Sequence, residues 1–300
     1  MAIGEDWILV GVDGGSAGEA AVEYAARYAA PRDLGLKLLH VSPEMAATPT
    51  CEPEGASTGG MHRRAILDAA AAHARELTVG RGIGRVVTDA AFGGRVDRLL
   101  RASADCGFVV LGDQRRPDVD RLATGSVLAG VAARCPVPVI GVPAGWTPHE
   151  IDPLVVAGVK HARESDILLR YASQAADAWS GRLQVLQARD ARHGAPGHMG
   201  ALQEAARRRL VDAVAAHRCD DGRAPVDVDV VCGQPARVLV DVSAHADLII
   251  LTRRPLVYPH GYLGGTGRAV LRESRCPVAV LPPPLPRASA RDATWREREA

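Results

Sequence analysis

Short unbroken apolar runs alternate along this chain with longer stretches in which apolar residues, mostly alanine, recur at helical spacing. The first run, WILVGVD at 7–13, carries no charge before Asp13. A run of this kind predicts a strand covered on both faces, as in a parallel sheet. A helix follows at 16–30, and Pro31 marks its end. LGLKLLHV at 34–41 is the second predicted strand, and a Pro/Gly/Thr-rich loop at 42–60 leads to an alanine-rich helix at 61–79. RVVTDAAF at 85–92 is the third strand, a helix covers 96–104, and GFVVLG at 107–112 is the fourth strand. A polar loop, DQRRPDVDRLAT at 113–124, precedes the helix GSVLAGVAAR at 125–134 and the fifth strand, VPVIGV at 137–142.

The pattern then repeats. GGRVDRLLRASADCGFVVLG, beginning at Gly93, matches GQPARVLVDVSAHADLIILT, beginning at Gly233, and Ser103-Ala104 pairs with Ser243-Ala244. WILVGVD at Trp7 pairs with PLVVAGVK at Pro153, and VPVIGVP at Val137 with CPVAVLP at Cys276. The repeat is the size of a domain, far longer than a solenoid unit. Strands alternating with helices imply βαβ units with right-handed crossovers. The expected fold class is therefore α/β: two tandem doubly wound five-stranded parallel-sheet domains. Domain 1 is expected at 1–143 and domain 2 at 154–284. The proline-broken segment 144–153 reads as the linker, and the proline run and charged end at 285–300 as a disordered tail. The apolar fifth strands would be exposed edges if left alone. They are expected to pair antiparallel, 137–142 beside 278–281, as an intramolecular pseudo-dimer, with a further homodimer open.

Composition narrows the functional classes. In 300 residues, 36 Lys+Arg balance 35 Asp+Glu, so no excess charge drives the chain toward nucleic acid or a membrane surface. No apolar run is long enough to span a bilayer, and no signal peptide is visible at the start. Six scattered cysteines form no C-x-x-C, and several sit in apolar runs. A cytoplasmic, thiol-reduced protein is expected. Aromatics make up only 4%, so the core must be built from Ala, Val and Leu.

Candidate chemistry lies beyond the C-terminal ends of the strands, where open α/β sheets bind ligands. Asp13 ends strand one, and Gly112 ends strand four. Gly125-Ser126 opens a helix, where free N–H groups and a hydroxyl suit an anion; an N-cap accounts for the same residues equally. Asp13 has the same two readings, a hydrogen-bond acceptor for a ligand or a cap for the first helix. DGGS at 13–16 faintly resembles the S-G-G-x-D-S loop of adenylating enzymes but lacks its first serine. No P-loop motif, H-E-x-x-H or G-x-S-x-G occurs. His193 and His198 in RHGAPGH read as a solvated loop, and Arg207-Arg208-Arg209 as a solvated helix face.

Together these residues resemble the universal stress proteins. VGVDGGS is similar to that family's V-x-V-D-G-S opening, with Gly15 added. Gly112-Asp113-Gln114-Arg115, nine residues, then Gly125-Ser126 has the spacing of its G-x-x-G, nine residues, G-[ST] loop. The resemblance implies adenine-nucleotide binding, with ATP, alone or with Mg2+, as the cofactor. It implies contacts at Asp13 and Val41 for adenine or ribose, and at Gly112, Arg115, Gly125, Ser126 and Val127 for phosphates. Arg115 stands where the family has glycine, and either pairs with the phosphates or blocks them. Copy two departs further: Lys160 replaces Asp13, Thr252 replaces Gly112, and Gly264-Gly265-Thr266 replaces Gly125-Ser126. The expected function is an adenine-nucleotide-binding stress-response or regulatory module with its nucleotide in copy one and a degenerate second site. An interaction scaffold and a slow ATP hydrolase or adenylate-transferring enzyme are the alternatives.

Overall fold

The computed structural model describes residues 6–43, 58–79, 85–113, 126–148, 151–162, 165–190, 199–217, 224–253 and 263–283. In the first half, strands β1 (Trp7–Gly11), β2 (Gly35–Ser42), β3 (Val86–Phe92), β4 (Phe108–Asp113) and β5 (Val139–Pro143) alternate with helices α1 (Ser16–Ala29), α2 (Thr58–Glu76), α3 (Arg95–Ala102) and α4 (Val127–Arg134). The second half repeats this order. Its strands are β6 (Leu154–Gly158), β7 (Arg182–Arg189), β8 (Val226–Cys232), β9 (Leu248–Thr252) and β10 (Val278–Leu281). Its helices are α5 (Asp166–Ala178), α6 (Met199–His217), α7 (Pro235–Val242) and α8 (Gly265–Glu273).

All ten strands form one sheet in the palindromic order β3-β2-β1-β4-β5-β10-β9-β6-β7-β8. Every neighbouring pair is parallel except the central one. There β10 runs antiparallel to β5, with Val278 opposite Gly141, Ala279 opposite Ile140 and Val280 opposite Val139. The apolar fifth strands thus cover each other's edges within one chain.

The unbroken apolar runs are explained by burial on both faces. Ile8, Leu9 and Val10 are all fully buried, with Ile8 and Val10 facing one core and Leu9 the other. One face packs α1, α2, α5 and α6, and the other packs α3, α4, α7 and α8. Both cores run without a break across the β5–β10 seam. Gly141 is a point of tight packing at this seam: a Cβ there would lie 2.7 Å from Leu128 of α4 and 3.1 Å from Leu271 of α8. On the opposite face Tyr24 of α1 meets Trp146 edge-on at 5.4 Å and Trp179, past the end of α5, at 6.4 Å.

The repeat extends to hydrogen bonds. Ser103 Oγ donates to the Leu100 carbonyl and accepts from Cys135 Sγ. Its counterpart Ser243 donates to the Val240 carbonyl and accepts from the Arg275 N–H. Several boundaries differ from the sequence expectation by a few residues. Helix α2 starts at Thr58 instead of 61, because Gly59 and Gly60 fall in its first turn. It stops at Glu76 instead of 79, where Thr78 Oγ1 bonds back to the Ala74 carbonyl. Asp113, expected as the first residue of a polar loop, is the last residue of β4 and is buried.

Candidate functional site

In the first half the strand order reverses between β1 and β4, which opens a crevice at their C-terminal ends. A cleft of about 160 Å³ lies there, lined by Asp13, His40, Val41, Arg95, Gly112 and Val127 over a floor of Leu39, Leu99 and Leu111. Four of the seven residues singled out in the sequence, Asp13, Val41, Gly112 and Val127, share this cleft. Ser126 directly precedes Val127. Arg115 and Gly125 lie outside the described residues.

The β1–α1 turn places Asp13. Gly14 has φ +79°, a conformation that favours glycine, whereas Gly15 is extended at φ −102°. So Gly14 makes the turn, and Gly15 is the N-cap of α1, without a side-chain capping bond. This corrects the cap reading of Asp13. Its Oδ1 accepts the Gly15 N–H at 3.0 Å, which closes a short turn ahead of the helix. Gly18 gives the carboxylate room, since a Cβ there would sit 2.7 Å from Asp13 Oδ1. The exposed carboxylate is therefore fixed at the cleft mouth by main chain on both sides.

Gly112 has a different cause from the one its place in the loop motif suggests. A Cβ on Gly112 would collide with the Ala17 carbonyl of α1. The glycine lets the helix lie against the end of β4. Ser126 is the N-cap of α4, and its Oγ accepts the Ala129 N–H at 3.2 Å. The capping alternative is thus realised, and a hydroxyl that accepts in this way keeps a proton to donate. Val41 is buried at the end of β2, where its neighbour His40 turns back over β1.

Two lining residues were not visible from motifs. His40 Nδ1 donates to the Val12 carbonyl at 2.8 Å, because a carbonyl can only accept. This ties the end of β2 to the β1 turn. Arg95, the first residue of α3, is exposed and lines the same cleft as Asp13. Arg95 enters only because the β3–α3 turn folds over the same edge, a long-range fact that local spacing does not carry. The position two residues past Gly93, where α3 starts, was the available signal.

The second half has an equivalent cleft of about 210 Å³, lined by Lys160, Thr252, Arg253, Gly264, Gly265 and Thr266 over Leu186, Leu239 and Leu251. Gly11 and Gly158 serve the same purpose in the two copies, leaving space for Leu99 and Leu111 or Leu239 and Leu251. The polar residues differ. Gln187, in the His40 position, donates to the Lys160 carbonyl at 2.7 Å. Pro235 replaces Arg95 at the first position of its helix. Arg253 is buried, and burial pulls its guanidinium below the usual arginine range. Among the described residues no group of three His, Cys, Asp or Glu side chains could hold a metal ion. No described helix is long and apolar enough to cross a membrane.

Comparison with known proteins matches the sequence and the fold to a family. The sequence profile of the Universal stress protein family matches residues 6–143 and again residues 154–282. Two universal stress proteins of Mycobacterium tuberculosis are similar along most of their length. One is 30% identical over 285 residues, covering 91% of this chain and 95% of that protein. The other is 29% identical over 299 residues, covering 91% and 96%. The crystal structure of a universal stress protein from Archaeoglobus fulgidus superposes with a TM-score of 0.67 at 17% identity, covering 94% of this chain and 97% of that one.

Proposed function

Because the chain belongs to the universal stress protein family, with two copies in tandem, we propose that it is an adenine-nucleotide-binding regulatory module whose nucleotide sits in the first copy. The observation that carries this is the convergence of Asp13, Val41, Gly112 and Val127 on one crevice at the β1/β4 switch point. The Asp13 carboxylate, held by the Gly15 N–H, is placed to accept hydrogen bonds from a ribose hydroxyl or an exocyclic amine. The chain at Val41 offers a main-chain edge beside an apolar floor, which suits a flat base. The start of α4 offers helix N–H groups and the Ser126 hydroxyl to phosphates, and Arg95 adds a cation on the rim. Arg115 and Gly125 belong to the same proposed phosphate contact on sequence grounds alone. ATP is the proposed ligand, and any Mg2+ would be held by its phosphates, since the described cleft has one carboxylate only.

The test is calorimetric titration of the full chain with ATP. Asp13→Ala removes a charged acceptor, and such a bond contributes about 1.5–3 kcal/mol, so affinity falls roughly ten-fold or more. Adenosine should weaken in parallel, since Asp13 serves the nucleoside. Unchanged affinity in Asp13→Ala would remove the site from this crevice. No ATP or adenosine binding by the parent protein would leave the interaction-scaffold reading in its place.

A further inference from the structure

The two ends of the ten-stranded sheet are not alike. Strand β3 closes one end and β8 the other, and each has a single neighbour, β2 or β7. Val87, Thr88, Asp89 and Ala90 of β3 are all exposed, so the strand is bare on both faces as well as along its edge. The Leu36 N–H donates to the Arg85 carbonyl, and Leu36 lies beside Val86 in the parallel register. Arg85 and every second residue after it therefore turn their main-chain groups toward β2. Val86, Thr88 and Ala90 turn theirs outward, an unpaired row that a further strand can complete. Arg98 Nε closes the row by donating to the Phe92 carbonyl at 2.7 Å.

The side chains on this edge are complementary to themselves. Arg85, Val87 and Asp89 share one face of the sheet. Val87 is 42% exposed. The Arg85 guanidinium lies 4.7 Å from the Trp7 ring centre, and neither Arg85 nor Asp89 has an ion-pair partner among the described residues. Strand β8 differs at the equivalent positions. Pro225 stands for Arg85 and Asp227 for Val87, while Asp229 is kept and accepts from Gln184 Nε2 at 2.8 Å. Antiparallel pairing of β8 with itself about its centre sets these acids against each other, which protects the edge. Strand β3 lacks that protection, with no proline, no lysine and one carboxylate.

We propose that the β3 edge is the surface on which a second molecule of this chain docks, strand antiparallel to strand about Val87, joining two sheets into one. In this register Val86 and Thr88 exchange main-chain hydrogen bonds with the partner's Thr88 and the partner's Val86. Val87 covers the partner's Val87. Arg85 faces the partner's Asp89, and the two-fold axis repeats the pair. Lys37 of β2, beside Val87 on the same face, adds to the positive side. The next register sets Val87 opposite the partner's Asp89, and the one after it sets Asp89 opposite the partner's Asp89; both lose the direct ion pairs. Strand β3 leads through Gly93 and Gly94 into Arg95, so the interface lies nearer the first cleft than the second. The inference is independent of whether the first copy binds nucleotide.

The test uses the full chain without nucleotide. Sedimentation velocity across a dilution series is expected to show a reversible monomer–dimer equilibrium. Thr88→Pro removes one outward N–H and leaves the bonds to β2 intact, and proline is tolerated on edge strands. It should weaken the dimer about ten-fold or more with little change in Tm. Val87→Asp, which copies the residue at 227, should weaken it as much through charge, and it carries the test alone if the proline variant does not fold. Val230→Pro changes an outward position of β8, since the Pro225 carbonyl there accepts the Leu183 N–H, and should leave the dimer unchanged. Arg85→Asp and Asp89→Arg should each weaken the dimer several-fold, and the double variant should regain most of the loss, which separates a direct pair from two unrelated surface changes. A parent protein that stays monomeric at every concentration would overturn the proposal. So would a dimer within two-fold of the parent in Val87→Asp or in a folded Thr88→Pro, a dimer that Val230→Pro abolishes, or a double charge variant no tighter than the single ones.

Discussion

Replacing Gly112 by alanine distinguishes packing from ligand contact. The added carbon would overlap the Ala17 carbonyl and lie 2.8 Å from the Ala17 Cβ. An ordinary carbon–carbon contact is about 3.5–4.0 Å, so α1 must retreat by about 1 Å. It has little freedom to do so. Ala21, Ala25, Ala26 and Ala29 of α1 are fully buried, and Gly18 already lies close to Asp13. Overpacking of this kind costs about 1–3 kcal/mol. For a chain of this size that corresponds to roughly 2–12 °C in Tm. The assay is urea unfolding without ligand, with the slope held constant between variants. Gly200→Ala is the control, since that exposed glycine in α6 has nothing within 4 Å of its Cβ position and should be neutral or gain up to about 1 kcal/mol. If Gly112→Ala unfolds like the parent but loses ATP affinity, the glycine serves the ligand and the packing argument is wrong.

Alkali should destabilise the protein through its buried thiols. Burial raises Cys106, Cys135 and Cys276, the last from 9.0 to about 12. An unfolded thiol loses its proton near pH 9 while the folded Cys276 keeps it, so the folded state binds more protons and stability falls as pH rises from 9 toward 12. Each such thiol adds a slope of up to about 1.4 kcal/mol per pH unit, and Cys276→Ala should make the fall in urea-derived stability shallower; an equal slope in the variant would refute the assignment. Arg115→Gly is expected to weaken ATP more than adenosine, because an arginine beside phosphates contributes about 1–2 kcal/mol. Titration of both ligands decides it, and a several-fold tightening of ATP would make the side chain an obstruction.

The architecture was legible because burial on both sheet faces writes itself as continuous apolar runs such as WILVG, and because the chain states them twice. The seam was legible for the same reason: VIGV and VAVL are too apolar to be free edges. The site was legible only where a residue ends a strand. Asp13 and Gly112 could be placed at the crevice, but the reason for Gly112 could not, since Ala17 is far away in sequence and reaches it only through the α1 packing. His40 and Arg95 carry no motif, and their roles depend on how three separate turns meet. Arg253 was the most opaque. An Arg-Arg pair after a strand reads as solvated, and only the antiparallel join of β5 and β10 brings the Cys135 carbonyl to Arg253. Helix α2 was misplaced because Gly59-Gly60 reads as a loop, although glycine is tolerated in a first turn.

The stoichiometry of ATP binding to the full chain bears most directly on the division of labour between the copies. Calorimetry should give one tight ATP per chain, competed by adenosine and lost in Asp13→Ala, because Lys160 sets a donor where Asp13 sets an acceptor. Two equal tight sites, or one that survives Asp13→Ala, would contradict the assignment of the nucleotide to the first copy.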